Sequence, residues 1–214
     1  MDNFPGSFYV GGMVRDLLLG RPVTDIDIAT AARPEAIAAA LAAAGVAADT
    51  SYKEFGTIIA RQGSLKADIT TLRRDLPGAG RYPRIRFSTS SKIDSQRRDF
   101  SINALYLSQK NKEITDYHQG LTDLKDKKIR FIGAPARRIA EDPLRIVRAL
   151  RFALELNFNP ETRTLAAIKK YFPLVKTLTR TRLQKEIDRA KTAAAKNNLA
   201  KLIAQPNLLD NYFK

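Results

Sequence analysis

Residues 11–30, "GGMVRDLLLGRPVTDIDIAT", decide how this chain is read. The right-hand part, from Val23 to Thr30, alternates as a β-strand does. Residues two apart share a face, so Asp25 and Asp27 point one way while Ile26 and Ile28 enter a core behind them. Two carboxylates this close raise each other's proton affinity unless something positive joins them, and no Lys or Arg lies within residues 23–30. A divalent cation is the expected partner. In the left-hand part, a strand pattern ending at Val10 is followed by a glycine pair and a short helix closed by Gly20. The backbone N–H groups of Gly11 and Gly12 at such a helix start approach a phosphate closely, and Arg15 adds a charged fork. The spacing is neither that of the dinucleotide fingerprint nor that of the P-loop.

A third acid, Asp68 in "LKADITTL", falls on another strand pattern with Lys66 and Thr70 on its face. Sheet pairing that brings it beside Asp25 and Asp27 makes a cluster suited to two magnesium ions and in-line phosphoryl transfer. Composition leads to the same metal. There is no cysteine and a single histidine, His118, which removes disulfides, thiolate nucleophiles and cages built from Cys or His. An oxygen-ligated ion, magnesium above all, remains. His118 has no acid–base partner near it in sequence and is expected to be structural.

Lys+Arg outnumber Asp+Glu by 37 to 22, a net charge of +15, and residues 133–214 hold 17 of the basic residues against 7 acidic ones. That imbalance suits a polyanion such as nucleic acid. No apolar run approaches the roughly 18 residues that a membrane span needs. The start "MDNFPGSFYVGG" also lacks the basic flank and apolar core of a signal peptide. A soluble cytoplasmic protein without a membrane partner is expected.

Over residues 1–132 short β-rich runs ("SFYVGG", "TDIDIAT", "GTIIARQ", "LKADITTL", "RIRFST", "INALYLS", "KKIRFIG") interleave with helical runs such as "RPEAIAAALAAAG". In that helix Pro34 suits the first turn and Gly45 the stop. This predicts an α+β domain around one sheet. From Gly133 the pattern changes to "EDPLRIVRALRFALEL", "PETRTLAAIKKYF" and "RTRLQKEIDRAKTAAAKNNLAKLIA", read as successive helices of an all-α part over 133–214. Asp142, Arg145, Arg148 and Arg151 recur at every third position there, a slanted polar stripe opposite Leu144, Val147, Leu150 and Leu154. Between Thr71 and Ser91, Pro77, Gly78 and Gly80 punctuate a basic connection expected to be mobile.

Taken in order, "GGMVRDLLLGRPVTDIDIAT", "ITTLRRD", "RRDFSINALY", "DYHQGLTDLKDKKIRFIG" and "EDPLRIVRALRFALEL", with a weaker echo in "TRTRLQKE", resemble the motifs of a known family. It is that of the class II tRNA nucleotidyltransferases, or CCA-adding enzymes, and the bacterial poly(A) polymerases, within the polymerase β-like nucleotidyltransferase superfamily. The likeness runs from about Phe8 to Glu186 and implies a nucleotidyltransferase head, a mixed sheet flanked by helices, followed by a helical neck. It implies addition of C, C and A from CTP and ATP to the 3′ end of tRNA, with release of pyrophosphate. Asp25 and Asp27 then bind two magnesium ions, while Gly11, Gly12 and Arg15 contact the triphosphate. Asp68, where the family usually has Glu, is the third carboxylate. Arg98 stands nearest the phosphates, with Asp99 and Asn103 on the sugar side. Asp142 and Arg145 read the base edge: a carboxylate accepts from the exocyclic amine that C and A share, and a guanidinium donates to ring acceptors. Arg148 and Arg151 face phosphate.

Two departures from the family pattern carry expectations of their own. Ala79 precedes Gly80-Arg81 where many members have an acid, in a loop that helps the family switch from C to A, which puts the final A step in question. The chain ends at Lys214, where members continue into further helical domains, so it is expected to be a head-and-neck piece or a reduced enzyme. A poly(A) polymerase or a partial CC- or A-adding enzyme shares the same chemistry and is the nearest rival reading. A non-catalytic RNA-binding module, indifferent to magnesium, is the rival of another class. Oligomeric state is not legible.

Overall fold

The computed structural model describes residues 4, 6–76 and 84–213. They form two compact units: residues up to Arg98 with Ile102–Leu121, and Asp99–Ser101 with Thr122 onward. The chain therefore leaves the first unit after Arg98 and re-enters it at Ile102.

In chain order the first unit contains β1 (Phe8–Tyr9), α1 (Gly11–Leu18), β2 (Ile26–Thr30), α2 (Pro34–Ala43), β3 (Ala47–Asp49), β4 (Thr57–Gln62) and β5 (Leu65–Thr71). It continues through β6 (Arg73–Asp75), β7 (Ile85–Phe87), α3 (Ser91–Arg97), β8 (Leu105–Ser108) and β9 (Ile114–Asp116). Seven of these strands make one mixed sheet in the order β3-β4-β5-β2-β1-β8-β9. β2 and β5 run parallel, and the other neighbours antiparallel. The expected α+β class is the one observed. The short β3 ("AAD") and β6 ("RRD") were not legible as strands, because neither carries a β-branched or aromatic residue. Pairing with a neighbour makes them.

Alternation along β2 divides the sheet's two faces. Ile28 lies with Ile58 and Ile69 under Ile37 and Leu41 of α2, with Ile26 packed alongside. Burying each such side chain contributes about 1.5–3 kcal/mol. On the other face Ala29 packs with Val10, Leu72 and Tyr106, and Asp27 shares that side by the same alternation. In α2, Pro34 occupies the first helical position and Gly45 follows the end at a φ of 67°. β6 and β7 form a separate ladder. The connection that it flanks, residues 77–83 with Pro77, Gly78, Ala79, Gly80 and Arg81, lies outside the described residues.

α4 (Gly120–Lys125) leads into the second unit, which holds β10 (Lys128–Ile129), α5 (Pro135–Glu141), α6 (Leu144–Leu156), β11 (Asn159–Pro160), α7 (Thr162–Tyr171), α8 (Arg180–Asp188), α9 (Ala193–Ala204) and α10 (Leu209–Tyr212). Strand pattern in the sequence persists to about residue 132, yet β10 pairs with β11 between helices. Residues 122–132 therefore pack with the helical unit. Phe100 stacks on Phe131 at 5.0 Å and meets Phe152 edge-on at 5.6 Å, anchoring Asp99–Ser101 in this core. The basic run from Arg180 to Ala204 reads as one helix but is two. Thr192 caps α9 by accepting from Ala195 N, and Glu155 accepts from Lys191 N at the break. Among the described residues no helix is long and apolar enough to cross a membrane.

Candidate active site

Register places Asp27 and Asp68 directly opposite each other on the parallel pair β2–β5. Asp25 precedes the strand, at a bend, where Thr24 Oγ1 donates to its Oδ2 at 3.0 Å. Burial, reinforced by the Asp68 and Asp25 charges, raises the Asp27 carboxyl to about 6, against the opposing pull of Arg98 and Lys66. Asp68 Oδ1 is buried and accepts no hydrogen bond; Lys66 Nζ stands 3.0 Å from it as an ion pair outside hydrogen-bond geometry. Among the described residues, no three Asp, Glu, His or Cys side chains are gathered into a ready-made metal cage. The carboxylate oxygens of Asp25, Asp27 and Asp68 are of the type that a hard cation takes, and the Lys66 ammonium partly neutralises Asp68.

Gly11 stands against this pair. Its φ is 70°, and a Cβ there would come within 2.9 Å of Asp27 Oδ2 and 3.7 Å of Arg98 Nη1. Any side chain at this position would displace the carboxylate or the guanidinium, so the glycine lets Asp27 pack directly against the start of α1. Gly12 similarly leaves room for Arg15, whose Nη2 would be 3.3 Å from an added Cβ. Arg15 itself is buried: Nε and Nη2 hold Asp16 at 2.9 and 2.8 Å, and Nη1 donates to Asn103 Oδ1 at 2.7 Å. It thus fixes Asn103 to α1. Arg98 Nη1 also reaches the Asn103 carbonyl at 3.4 Å. Gly11, Asp27, Arg98, Arg15 and Asn103, 92 positions apart at the extremes by their numbers, converge within the first unit.

The second unit carries a lattice of arginines and acids. Asp99 accepts from Arg145 Nε at 3.2 Å and Arg148 Nε at 2.6 Å, with Arg138 Nη2 at 3.9 Å. Burial pushes its carboxyl up, but the Arg148 and Arg145 charges outweigh this and hold it below the usual range. Arg145 Nη1 also donates to Glu141 Oε2 at 2.6 Å and to the Arg138 carbonyl at 2.8 Å. Asp142 lies just before α6 in extended backbone, accepts from Leu144 N, and holds Arg182 Nη2 with both oxygens at 2.9 and 3.0 Å. Arg148, Arg145 and Arg151 keep the one-sided stripe, while Val147 and Leu150 are buried. Arg151, expected to face phosphate, is 7% exposed and bound to Glu186 at 3.0 Å and Glu155 at 3.2 Å. Its guanidinium is part of the packing.

Four participants were not singled out in the sequence: Asp94, Tyr106, Arg182 and Glu186. Asp94 stands three and four residues before Arg97 and Arg98 on α3 and pairs with both, a helical charge spacing that is readable in sequence. Glu186 is 1% exposed among Arg148, Arg151 and Arg189. Nothing local marks it, since two of its partners lie on another helix. His118 accepts or donates at Nε2 with Ser95 Oγ, 2.8 Å away, in keeping with the structural place expected of it.

Known proteins resemble this chain in sequence and in fold. Over 185 residues the chain is 38% identical to a CCA-adding enzyme of Streptococcus pyogenes serotype M2 (strain MGAS10270), covering 86% of this chain and 45% of that protein. It is 40% identical over 164 residues to the CCA tRNA nucleotidyltransferase 1, mitochondrial, of Danio rerio, covering 75% of this chain and 38% of that one. Among solved structures, the Bacillus stearothermophilus CCA-adding enzyme in complex with CTP superposes with a TM-score of 0.77 at 30% identity, over 97% of this chain and 49% of that one. A tRNA nucleotidyltransferase complexed with a primer tRNA and an incoming ATP analog gives 0.76 at 34% identity, over 97% and 59%. The chain thus spans about half the length of the curated relatives it matches. The model of the poly(A) polymerase head domain matches residues 7–130, the stretch that carries the glycine pair, the carboxylates and Arg98, and the chain belongs to that family.

Proposed function

We propose that this chain is the catalytic head and first neck helices of a tRNA nucleotidyltransferase that adds C, C and A to tRNA 3′ ends from CTP and ATP. The observation that carries this reading is the convergence of Asp27, Gly11 and Arg98: an undercompensated acid beside backbone and guanidinium donors suited to a triphosphate. In the reaction the RNA's terminal 3′-hydroxyl oxygen bonds to the α-phosphorus, the bond to the β-phosphate bridging oxygen breaks, pyrophosphate leaves, and the hydroxyl proton is released. Asp25 and Asp27, with Asp68 beside them, would hold two magnesium ions, which would supply the positive charge that makes the hydroxyl more acidic and stabilises the leaving pyrophosphate.

The chain's own groups do the binding and the choosing. Arg98 and the N–H groups of Gly11 and Gly12 take the triphosphate. Arg15 acts through Asn103, fixing that amide on the sugar side. Asp142 and Arg145 select the base: Asp142 accepts from the amine of cytosine or adenine, and Arg145 donates to the ring. Asp99 holds Arg145 and Arg148 in a fixed spread through two charge-assisted bonds. A cytoplasmic site of action and a tRNA partner go with this reading, and the names of the relatives favour tRNA over a homopolymeric tail.

The test incubates the protein with magnesium and tRNA transcripts ending before, within and after CC, supplying CTP and ATP separately and together, beside an Asp25→Ala control. Ordered C, C, A extension lost in the control is expected. Extension halting at CC implicates the loop with Ala79, and runs of A on any RNA point to a poly(A) polymerase. Binding of tRNA without extension, indifferent to magnesium, contradicts catalysis.

A further inference from the structure

Arg98 is held by a buried pair that no part of the proposed chemistry uses. Asp94 and Tyr106 are both 0% exposed. The Tyr106 hydroxyl donates to Asp94 Oδ2 at 2.6 Å and accepts from Arg98 Nε at 2.9 Å. Arg98 Nε and Nη2 also reach the same Oδ2 at 3.3 and 3.2 Å, and its Cζ lies 5.1 Å from the Tyr106 ring centroid. The other edge of the guanidinium, Nη1, is the one turned toward the Asn103 carbonyl and the Gly11–Asp27 space. Pinning one edge of a planar fork fixes where the other points. Oδ1 of Asp94 is bound separately, by Arg97 Nε at 2.7 Å and by Arg73 N at the start of β6, at 3.1 Å. The carboxylate is thereby fastened to α3 and β6 at once and does not travel with Arg98.

We propose that Tyr106 and Asp94 are positioning residues that aim the Arg98 guanidinium at the triphosphate. This rests on the assignment of Arg98 to the nucleotide site. Tyr106 is the discriminating member, because its hydroxyl bridges Asp94 Oδ2 and Arg98 Nε while its ring fills the core with or without that oxygen. Loss of the hydroxyl removes the shortest bond to the Nε edge and leaves the longer contacts to Asp94 Oδ2, which hold the direction of Nη1 less firmly. Neither residue meets the reacting atoms.

The experiment measures CTP and inorganic triphosphate affinity by calorimetry, with magnesium, for the wild-type chain, Tyr106→Phe, Asp94→Asn, Arg98→Ala and Tyr106→Phe/Arg98→Ala. Tyr106→Phe is expected to weaken both ligands roughly ten-fold, the scale of a hydrogen bond to a charged group. Asp94→Asn is expected to act in the same direction, and Tyr106→Phe to add nothing once Arg98 is gone. General damage to the fold would persist in the Arg98→Ala background, so an undiminished loss there overturns the proposal. So does wild-type affinity in Tyr106→Phe with wild-type protein that binds normally. If the wild-type chain binds neither ligand, the nucleotide reading of the site falls, and this inference with it.

Discussion

Two groups of enclosed acids, one in each unit, are compensated in opposite ways. In the first, Asp27 lies opposite Asp68 and near Asp25, and burial together with those like charges raises it to about 6. In the second, Asp99 and Glu186 are ringed by arginines, whose charges outweigh burial and keep both carboxyls below the usual range. An acid ringed by arginines is compensated by the chain itself, while an acid flanked by acids requires its counter-charge from elsewhere. The first arrangement leaves binding energy available to a ligand, and the second uses it to fix geometry. Asp94 sharpens the contrast because it shares the unit of Asp27. Burial would raise it too, but Arg97, Arg98 and the Tyr106 hydroxyl bring it to about 2. Buried position alone therefore does not mark a ligand site; the sign of the neighbours does.

The comparison breaks most visibly at Asp27. Asp27→Ala is expected to cut nucleotide incorporation on the order of 10³-fold, since cation-borne stabilisation of the transition state is worth several kcal/mol, while the melting midpoint holds or rises. A variant that is both inactive and unstable would place Asp27 with the compensated acids. Glu186→Gln should do the reverse: about 3 kcal/mol lost in urea titration, as expected when a buried ion-pair network loses its central acid.

A smaller effect is expected at Gly11. Gly11→Ala must adopt a φ near 70° and crowd Asp27 Oδ2, costing about 2 kcal/mol in backbone strain and contact, with weaker CTP binding. Gly20→Ala, also at positive φ but with open space around it, should show the strain without the loss of CTP. Calorimetry on the two variants separates backbone strain from site geometry.

The smallest effect is in pH. Asp27 is raised in the folded chain, so its contribution is complete below the unfolded value of 3.8 and lost as pH rises through about 6. Asp94 is lowered, so its contribution is present above 3.8 and lost as pH falls through about 2. Asp27→Asn should flatten the decline of the melting midpoint across the first interval and leave the acid limb unchanged. Added magnesium should raise the midpoint of the wild-type chain more above pH 6 than below it, and do little for Asp27→Asn.

Much of this contrast was legible before any coordinates. The alternation of "TDIDIAT" placed Ile26 and Ile28 in the core and Asp27 on the opposite face, because period two is local physics. The polar stripe of Arg145, Arg148 and Arg151 was equally local, set by helical geometry. What was not legible is how each arginine is satisfied. Arg151 and Arg15 are expected at phosphate from the sequence, yet Glu186, 35 positions after Arg151, and Asn103, 88 after Arg15, engage them. Partners that distant are chosen by packing, which no short window contains. Asp142 fell outside the helix it seemed to begin, since Pro143 sits at the boundary of α6 and favours extended backbone in the residue before it.

The central claim is that the undercompensated acid of the first unit is a cation-dependent nucleotide seat. Calorimetric titration of CTP into the wild-type chain and into Asp27→Asn, with magnesium and with a chelator, tests it most directly. The account predicts tight CTP binding by the wild-type chain that weakens at least ten-fold on chelation, and the same weakness in Asp27→Asn with or without the metal. CTP affinity unaffected by both the substitution and the chelator would contradict it.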